Sequence, residues 1–417
     1  MLLKKTAFFL RGAVTEFDQE SAFAYGSDVT VARPKLTGDA EDYNPRSLVP
    51  ALSQEVDYVR TTLKLDKLFT KGIPVYATDA SQKRYVNDFG HTSSDSIRRS
   101  IEKYLYEVGF RSYLVPPTGV YRYGANSPVQ VAWNENAAGV LQPFARNLLV
   151  RASSILQREE VPASDLYAAV SPDAIGDMLL ASPTEEGLSG AYAGGAGVLT
   201  YGLPEGAYLL RHGFKVGSST TTSGQPGVAN LSAGAPSVTI ASAAADTTLL
   251  LQDDQAALTP LGAVVITASA AFATPLGAGQ IVRIGVTGVT AIAYGVVLRA
   301  GASSVTLVPY GRRGEVVPAA QITDAIASGV RISAPTIASI NPAYHKEHLL
   351  FASRKLMEPG QGDGATCTTV ADAGAGLILQ LTKGSYDVNR FASSARMSFL
   401  TGAVATDHRK AVLMLCA

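Results

Sequence analysis

One block of this chain differs in texture from the rest. Between Val216 and His345 there is no lysine, and alanine, glycine, threonine, serine and valine dominate. The flanking sequence is charged and aromatic, as in an ordinary globular domain. Within the block, runs rich in valine and threonine recur about every 8–12 residues, with Gly, Pro and Asp between them. This spacing is typical of a small β-barrel or sandwich, so we predict an all-β domain inserted into another domain.

The runs are apolar enough to build a core. The clearest of them are Ser237–Ala241, Gln280–Gly285 and Ser304–Val308. Isoleucine, leucine and valine at alternating positions exclude a flexible linker, which would lack them. The whole chain has 417 residues, of which 47% are hydrophobic and 17% charged. That length suffices for two or three domains, each with its own core.

Charge and cysteine content exclude several classes of protein. The 35 basic and 35 acidic residues give a formal net charge of +0, and no basic stripe for gripping nucleic acid is visible. Cys367 and Cys416 cannot make a disulfide scaffold, which fits a reducing, intracellular origin, and either can be a small buried hydrophobe. No uncharged apolar run is long enough for a transmembrane helix. Arg11 interrupts the N-terminal apolar run, so we expect an exposed arm and no signal peptide there.

The N-terminal third predicts a hairpin and two helices. Asp28–Arg33 and Val59–Asp66 alternate with period two and enclose a polar stretch, which indicates a long hairpin with a mobile tip. A helix is predicted from Ser94 to Val108, capped by Ser93 or Ser94. A second helix is predicted to begin at Pro143, since proline suits the first helical position.

The remaining body predicts strands and one further helix. Leu166–Val170 is a predicted buried strand, followed by a helix that Ser171 caps and Pro172 begins. Tyr208–Val216 is predicted as another strand. Ala411–Cys416 is predicted as a buried strand that ties the C-terminus into the fold.

Few residue patterns in the sequence indicate catalysis or metal binding. His345 and His348 are spaced i, i+3 with a carboxylate between them, so on a helix they could share a metal, but no third ligand cluster stands out. Surface or polar packing is the simpler interpretation. The glycines from Gly190 to Gly197 lack the following Lys-Ser or Lys-Thr of a nucleotide-binding loop. We predict no catalytic residue, no cofactor and no metal.

The order of elements resembles the major capsid (coat) proteins of tailed bacteriophages, which have the Hong Kong 97-type fold. The family's hairpin is matched by Thr61–Lys67 with Val75–Asp79, and its spine helix by Ser94–Val108. Its helix–"VP"–strand–"SP" pattern is matched by Glu160–Pro162 with Tyr167–Pro172, and its Gly-Phe strand by Gly213–Val216. Coat proteins of some short-tailed enterobacterial phages carry a telokin-like β-barrel insertion after such a strand. That insertion ends before a segment like Asn341–Phe351.

The resemblance implies an α+β fold with an all-β barrel insertion domain and six divisions. These are an N-terminal arm 1–30, an extended loop 31–80, a spine helix and peripheral domain 81–160, a first axial part 161–215, a β-barrel insertion 216–335 and a last axial part 336–417. The span 116–142 departs from the family pattern, and the sequence assigns it no role.

The resemblance also implies a function and partners. The chain is expected to self-assemble through pentamers and hexamers into a shell around double-stranded DNA, without sequence-specific binding. A scaffolding protein, a portal protein at one vertex and a possible decoration protein are the implied partners, with no membrane. The implied location is the virion capsid, assembled in the bacterial host cytoplasm.

Seven charged residues are candidate contacts between subunits. The candidates are Lys64, Lys67, Lys71, Asp253, Asp254, Arg312 and Arg313. Some relatives crosslink a hairpin lysine to an asparagine, for which Asn389 is the formal candidate here. Solvated turns without a role are the alternative for the charged pairs.

Two other functions remain open. The first is an enzyme with an inserted β-domain that uses His345 and His348, and the second is a β-modular tail or surface protein.

Overall fold

The computed structural model describes residues 9, 12–13, 28–34, 58–76, 83–110, 120–122, 128–180, 209–211, 213–222, 231–252, 258–354, 366–372, 377–387 and 392–417. The helices are α1 (Lys83–Phe110), α2 (Arg146–Arg158), α3 (Pro172–Leu180) and α4 (Ala319–Ala325). The strands are β1 (Asp28–Pro34), β2 (Tyr58–Lys64), β3 (Lys67–Tyr76), β4 (Val120–Arg122), β5 (Gln130–Trp133), β6 (Leu166–Val170), β7 (Leu209–Arg211), β8 (Phe214–Ser218), β9 (Ser237–Ala245), β10 (Leu250–Gln252), β11 (Leu258–Pro260), β12 (Val264–Ala268), β13 (Ile281–Gly285), β14 (Ala293–Ala300), β15 (Ser304–Tyr310), β16 (Arg331–Ser333), β17 (Ser339–His345), β18 (Leu349–Arg354), β19 (Thr366–Asp372), β20 (Leu377–Asp387), β21 (Ala392–Ala405) and β22 (Ala411–Cys416).

A mixed sheet and an antiparallel sheet form the body of the molecule. The first has six strands in the order β5-β22-β17-β6-β8-β7. Every residue of β6, β17 and β22 is buried, as the sequence predicts for β6 and β22. The second sheet has five strands in the order β18-β21-β20-β19, with β3 paired to β21. The C-terminal strand therefore lies inside a sheet, between β17 and β5.

The prediction for the start of α1 is wrong. The helix begins at Lys83, and both Ser93 and Ser94 lie inside it. Ser93 is buried in the helix interior. Ser100 also lies inside the helix, where its hydroxyl donates to the Ser96 carbonyl at 3.0 Å. Serine costs only a few tenths of a kcal/mol in a helix interior, so packing overrides its preference for a cap.

No helix in the described part of the chain is long and apolar enough to cross a membrane.

Helices α2 and α3 pack on the six-stranded sheet. The predicted start of α2 at Pro143 is wrong, because Ala145 has extended backbone angles (φ −141, ψ 167) and the helix begins only after it. The predicted start of α3 is confirmed. Ser171 Oγ accepts the Ala174 N–H at 3.2 Å, and Asp173 lies in the first turn.

The lysine-free block contains a closed barrel. Its six strands follow the order β12-β15-β14-β13-β16-β9, and every neighbouring pair is antiparallel. Strand spacing predicted a barrel or a sandwich, and the structure has the barrel. The domain is not all-β, however, because α4 packs against it with Ile322 fully buried, and Thr323 donates its hydroxyl to the Ala243 carbonyl at 3.0 Å.

The barrel leaves and rejoins the body at neighbouring points. The chain enters it after β8 and returns to the body in β17, and both of these strands pair with β6. The two connections are thus about two strand spacings, or roughly 10 Å, apart. At the base of the barrel the Ala334 N–H donates to the Pro236 carbonyl at 2.9 Å. A self-closing domain with adjacent ends can be inserted without disturbing the host sheet.

Strands β1 and β2 form an antiparallel ribbon, as the hairpin prediction requires. Asp28 pairs with Lys64 and Pro34 with Tyr58, and the pair is a two-stranded sheet of its own. At the β2 end, Leu63 and the following Leu65 are buried on the second sheet against Leu350, Ala352 and Leu400. The ribbon is therefore fixed to the body at that end.

Two further predictions need correction. Phe9, within the expected exposed arm, is fully buried against the chain's own α1 and β17, with ring centroids 5.7 Å from Tyr106 and 6.1 Å from Tyr344. The predicted single strand Tyr208–Val216 is instead the tight hairpin β7–β8. Gly213 allows the reversal because its φ of +85 lies in the left-handed region.

Candidate functional site

The barrel is docked on the body through the segment 128–142, which we call the junction segment. It includes β5, at the edge of the six-stranded sheet, and continues past Glu135. Strands β13, β14 and β15 of the barrel supply the other side of the contact. The sequence left this span without a role, and the structure makes it the seam between the two parts of the molecule.

A buried carboxylate lies at the centre of this seam. Glu135 accepts hydrogen bonds from Arg283 Nε (2.7 Å) and Nη2 (3.3 Å), from Tyr294 Oη (2.6 Å) and from the Ala291 N–H (2.6 Å). Its side chain is 0% exposed, and that of Arg283 is 10% exposed. The carboxylate belongs to the body and all its donors belong to the barrel. The ion pair therefore fixes the orientation of the barrel relative to the body.

The electrostatics of the carboxylate extend into the barrel. Arg283 also donates to the carbonyls of Val286 and Val289, so one guanidinium holds both the carboxylate and the turn after β13. Burial, followed by the hydrogen bond to Glu135 and its negative charge, raises the pKa of Tyr294. Tyr294 is consequently a neutral donor throughout the physiological range.

Trp133 packs beside this cluster. Its indole Nε1–H donates to the Tyr310 carbonyl at 3.0 Å, and its ring centroid is 5.0 Å from that of Tyr294. The Tyr310 hydroxyl in turn donates to the Pro128 carbonyl at 3.3 Å. Trp133 is the chain's single tryptophan and is 1% exposed, so its fluorescence reports directly on this contact.

The rim of the seam is polar. Thr290 Oγ1 donates to the Asn136 carbonyl at 3.1 Å, and Arg312 Nη2 donates to Asn134 Oδ1 at 2.8 Å. Gly139, at φ +74, lies so close to the Val289 carbonyl that a Cβ there would be 2.5 Å from it. Only glycine fits both the angle and the approach.

A second, smaller contact lies nearby. Strand β4 pairs in parallel with β10, which precedes the barrel strand β12. Tyr121 of β4 is fully buried, and burial raises its pKa to about 12, with Arg299 lowering it and Asp246 raising it. Arg299 Nη2 and Asp246 Oδ2 form an ion pair at 2.9 Å. The span 116–142 thus contacts the barrel block at both of its described parts.

The three predicted lysines are not part of this seam. Lys64 ends β2 and Lys67 and Lys71 lie on β3, all three exposed, with the Lys67 ammonium 6.0 Å from the Tyr104 ring centroid. Asp253, Asp254 and Asn389 lie outside the described residues.

The predicted arginines lie at the rim of the seam. Arg312 and Arg313 occupy the turn after β15 and are exposed. Arg312 contacts the junction segment through Asn134, as given above. The sequence thus identified two rim residues but missed Glu135 and Arg283. Arg283 is the single charge in an apolar strand, and Glu135 lies between two asparagines, so neither has a local pattern that indicates its partner.

The two histidines do not form the helical pair of the metal hypothesis. His345 ends β17, and its Nδ1 accepts the Glu347 N–H at 3.3 Å. His348 is fully buried, with Nδ1 2.8 Å from the Asp407 carbonyl and Nε2 2.9 Å from the Gly109 carbonyl. Both ring nitrogens of His348 are therefore engaged with the backbone, and the described residues contain no group of three or more potential ligands.

The cysteines differ in their surroundings. Cys416 is buried, with its Sγ 2.9 Å from Ser339 Oγ and 3.1 Å from Asn341 Nδ2, and burial raises the pKa of its thiol. It packs as the predicted small hydrophobe. Cys367 is only partly buried, on β19.

Acidification is expected to destabilise the fold through these histidines. Burial lowers the pKa of both His345 and His348 below the ordinary value of 6.5. Below about pH 6.5 the unfolded chain binds protons that the folded chain excludes, so the free energy of unfolding falls as pH falls. Urea midpoints at pH 7.5, 6.5 and 5.5 measure the slope, which should be shallower in His348→Gln. An unchanged midpoint from pH 6.5 to 5.5 contradicts the prediction.

Comparison with known proteins finds similarity only at the level of structure. No family model matches the sequence, and no curated protein matches it. Among solved structures, the chain is similar to one from Mycobacterium phage Che8, with 11% identity and a TM-score of 0.43 over 99% of this chain and 94% of that one. It is similar to the capsid of Cyanophage P-SCSP1u, with 9% identity and a TM-score of 0.44 over 100% and 90%. It is also similar to the capsid of Ralstonia phage GP4, with 8% identity and a TM-score of 0.42 over 97% and 87%.

Proposed function

We propose that this chain is a major capsid protein of a tailed phage. In this proposal it self-assembles through pentamers and hexamers into an icosahedral shell that encloses double-stranded DNA. The observation that supports it most is the β1–β2 ribbon, which among the described strands pairs with no third strand. A two-stranded ribbon is marginal in water, so it needs a surface to lie on. The end of the ribbon at Leu63 lies on the second sheet of the same chain, and a neighbouring copy supplies the surface for the remainder of the ribbon.

Repetition of such a contact builds a shell. A ribbon that lies on the next copy makes a heterologous interface, which closes into rings when the rotation closes. Mass action then stabilises each subunit through its neighbours. A formal net charge of +0 suits a wall that contains DNA without adhering to it. No step of this function requires catalysis.

The proposal includes finer assignments. A scaffolding protein during assembly, a portal protein at one vertex and a possible decoration protein are the partners, and the location is the virion capsid, with assembly in the host cytoplasm. We retain the division into arm, extended loop, spine helix and peripheral domain, two axial parts and a telokin-like insertion at 216–335. Contacts between copies involve Lys64, Lys67, Lys71, Asp253, Asp254, Arg312 and Arg313.

Hydrogen exchange tests the ribbon's role. The backbone amides of β1 and β2 are expected to exchange at least about 100-fold more slowly in assembled particles than in free subunits, because neighbouring copies cover them only after assembly. Mass spectrometry of both forms measures this. The amides of β22, which lie inside a sheet in every copy, serve as the internal control and should be slow in both.

Electron microscopy separates the alternatives. Negative-stain images of the expressed protein, alone and with a scaffolding partner, are expected to show closed shells. Elongated trimers would favour a tail or surface protein. A monomer under all assembly conditions, with the ribbon already protected, would overturn the proposal.

A further inference from the structure

An arginine cluster marks the outer rim of the barrel seam. Arg151 and Arg158 lie on α2, seven residues apart and therefore on one face. Arg312 and Arg313 lie in the barrel turn that rests on this helix. The turn approaches closely because Gly314, at φ +77, lies against Ile155, where a Cβ would be 2.6 Å from Ile155 Cδ1. We call the four residues Arg151, Arg158, Arg312 and Arg313 the arginine cluster.

Hydrogen bonds hold the cluster together without neutralising it. Arg151 Nη1 donates to the Trp133 carbonyl at 2.5 Å, and Arg312 Nη2 donates to the adjacent Asn134 Oδ1 at 2.8 Å. Arg158 Nη1 donates to the Arg313 carbonyl at 3.4 Å. Anchors on consecutive residues bring the guanidiniums of Arg151 and Arg312 close together. Each guanidinium has five N–H donors, so most of these remain available to a ligand.

The cluster has an excess of positive charge. Within the described residues, none of its members forms an ion pair with a carboxylate. Two carboxylates lie at its edge and bond to other groups than the guanidiniums: Glu159 accepts from Gln130 Nε2 at 2.7 Å, and Glu315 accepts the Arg313 backbone N–H at 2.9 Å. Burial, and then the charges of Arg312 and Arg313, lower the pKa of Arg151. A bound anion would relieve this repulsion.

The surroundings favour a short acidic segment over nucleic acid. Glu159 and Glu315 flank the cluster and would repel a phosphate backbone that continued past it, whereas a carboxylate pair makes only a local contact. Guanidiniums bind carboxylates in bidentate geometry. The chain's 35 basic residues are balanced by 35 acidic ones, so a basic patch implies acidic surface elsewhere on the same chain.

We propose that the arginine cluster binds an acidic segment of a second copy of this chain. The inference rests on the proposed self-assembly and adds a specific partner surface to it. Two of the arginines come from the barrel and two from the body, so the site is complete only when the barrel is docked. Docking at Glu135 and contact between copies are thereby coupled.

Isotope-resolved crosslinking tests the contact. Arg312→Lys keeps the charge and adds an amine that a carbodiimide joins to a carboxylate in direct contact. Assembling a mixture of ¹⁴N- and ¹⁵N-labelled Arg312→Lys protein distinguishes links between copies from links within one. We expect peptides of mixed isotope that join position 312 to an Asp or Glu. Shells that form with only same-isotope links, or with none at position 312, overturn this inference and leave the proposed function standing.

Charge reversal provides the second arm. The Arg312→Glu/Arg313→Glu variant is expected to assemble at least about tenfold more slowly at low salt, with the difference shrinking as salt screens the contact. Lys383→Glu, at an exposed position on β20, is the matched control and should assemble normally. Unchanged Trp133 emission verifies that the barrel stays docked. Normal assembly of the double variant, or a loss confined to anisotropy-detected binding of a DNA oligonucleotide, contradicts the proposal.

Discussion

Replacing Glu135 by glutamine is expected to lower the free energy of unfolding by about 3–5 kcal/mol, because removing one partner of a buried ion pair leaves the other charge uncompensated. Arg283 would keep its position inside the seam, held by the Val286 and Val289 carbonyls, without its counter-charge. Tyr294 and the Ala291 N–H would lose a charged acceptor. Urea denaturation followed by Trp133 fluorescence measures the loss of unfolding free energy with a probe that lies in the seam itself.

Two further variants separate the buried pair from a general charge effect. Glu159→Gln removes a carboxylate that accepts a partly buried side-chain hydrogen bond, and should cost less than about 1 kcal/mol. The double variant Glu135→Gln/Arg283→Met removes both charges, so it should be less destabilised than the single one. Equal losses in the single and double variants would show that the ion pair does not hold the barrel.

Gly402→Ala is expected to destabilise the fold by about 3 kcal/mol, at the upper end of the usual cost of overpacking. Gly402 lies on β21 where the end of β2 crosses it, and a Cβ there would overlap the Lys64 backbone carbonyl and lie 2.9 Å from Leu63 Cδ2. A carbonyl cannot rotate aside as a side chain can. The ribbon would therefore have to lift from the sheet, which exposes Leu63 and Leu65.

The matched control for this variant lies in the same sheet. A Cβ at Gly72 of β3 would lie 3.6 Å from the Ala395 carbonyl, an ordinary contact. Gly72→Ala should be neutral, or stabilising by a few tenths of a kcal/mol through the unfolded state. Urea midpoints compare the two variants, and hydrogen exchange at 63–65 should accelerate only in Gly402→Ala. Similar midpoints would mean that the ribbon base is not held as the structure shows.

Local pattern was enough to predict several elements. Ser171 before Pro172 predicted the α3 cap, because the donor it satisfies is only three residues away. Period-two alternation predicted the β1–β2 ribbon, and the regular strand spacing predicted a β-rich insertion, either a barrel or a sandwich. The same local rules misplaced the starts of α1 and α2, where tertiary packing outweighs the small energies of capping.

The candidate site depended on contacts that no local pattern encodes. Glu135 meets Arg283 across 148 positions and Tyr294 across 159, and His348 reaches Gly109 across 239. Phe9 was assigned to a free arm because nothing in its neighbourhood of sequence reveals the pocket on α1 and β17.

The sequence by itself determined the β1–β2 ribbon, the β-rich character of the lysine-free block, and the burial of the strands β6 and β22. These properties follow from the periodicity of side chains along a single element. Only the tertiary structure decided that the barrel docks on the junction segment through one buried carboxylate and gathers four arginines at its rim. Periodicity specifies which face of an element is buried, whereas the element it is buried against is selected by complementary shape and charge in three dimensions.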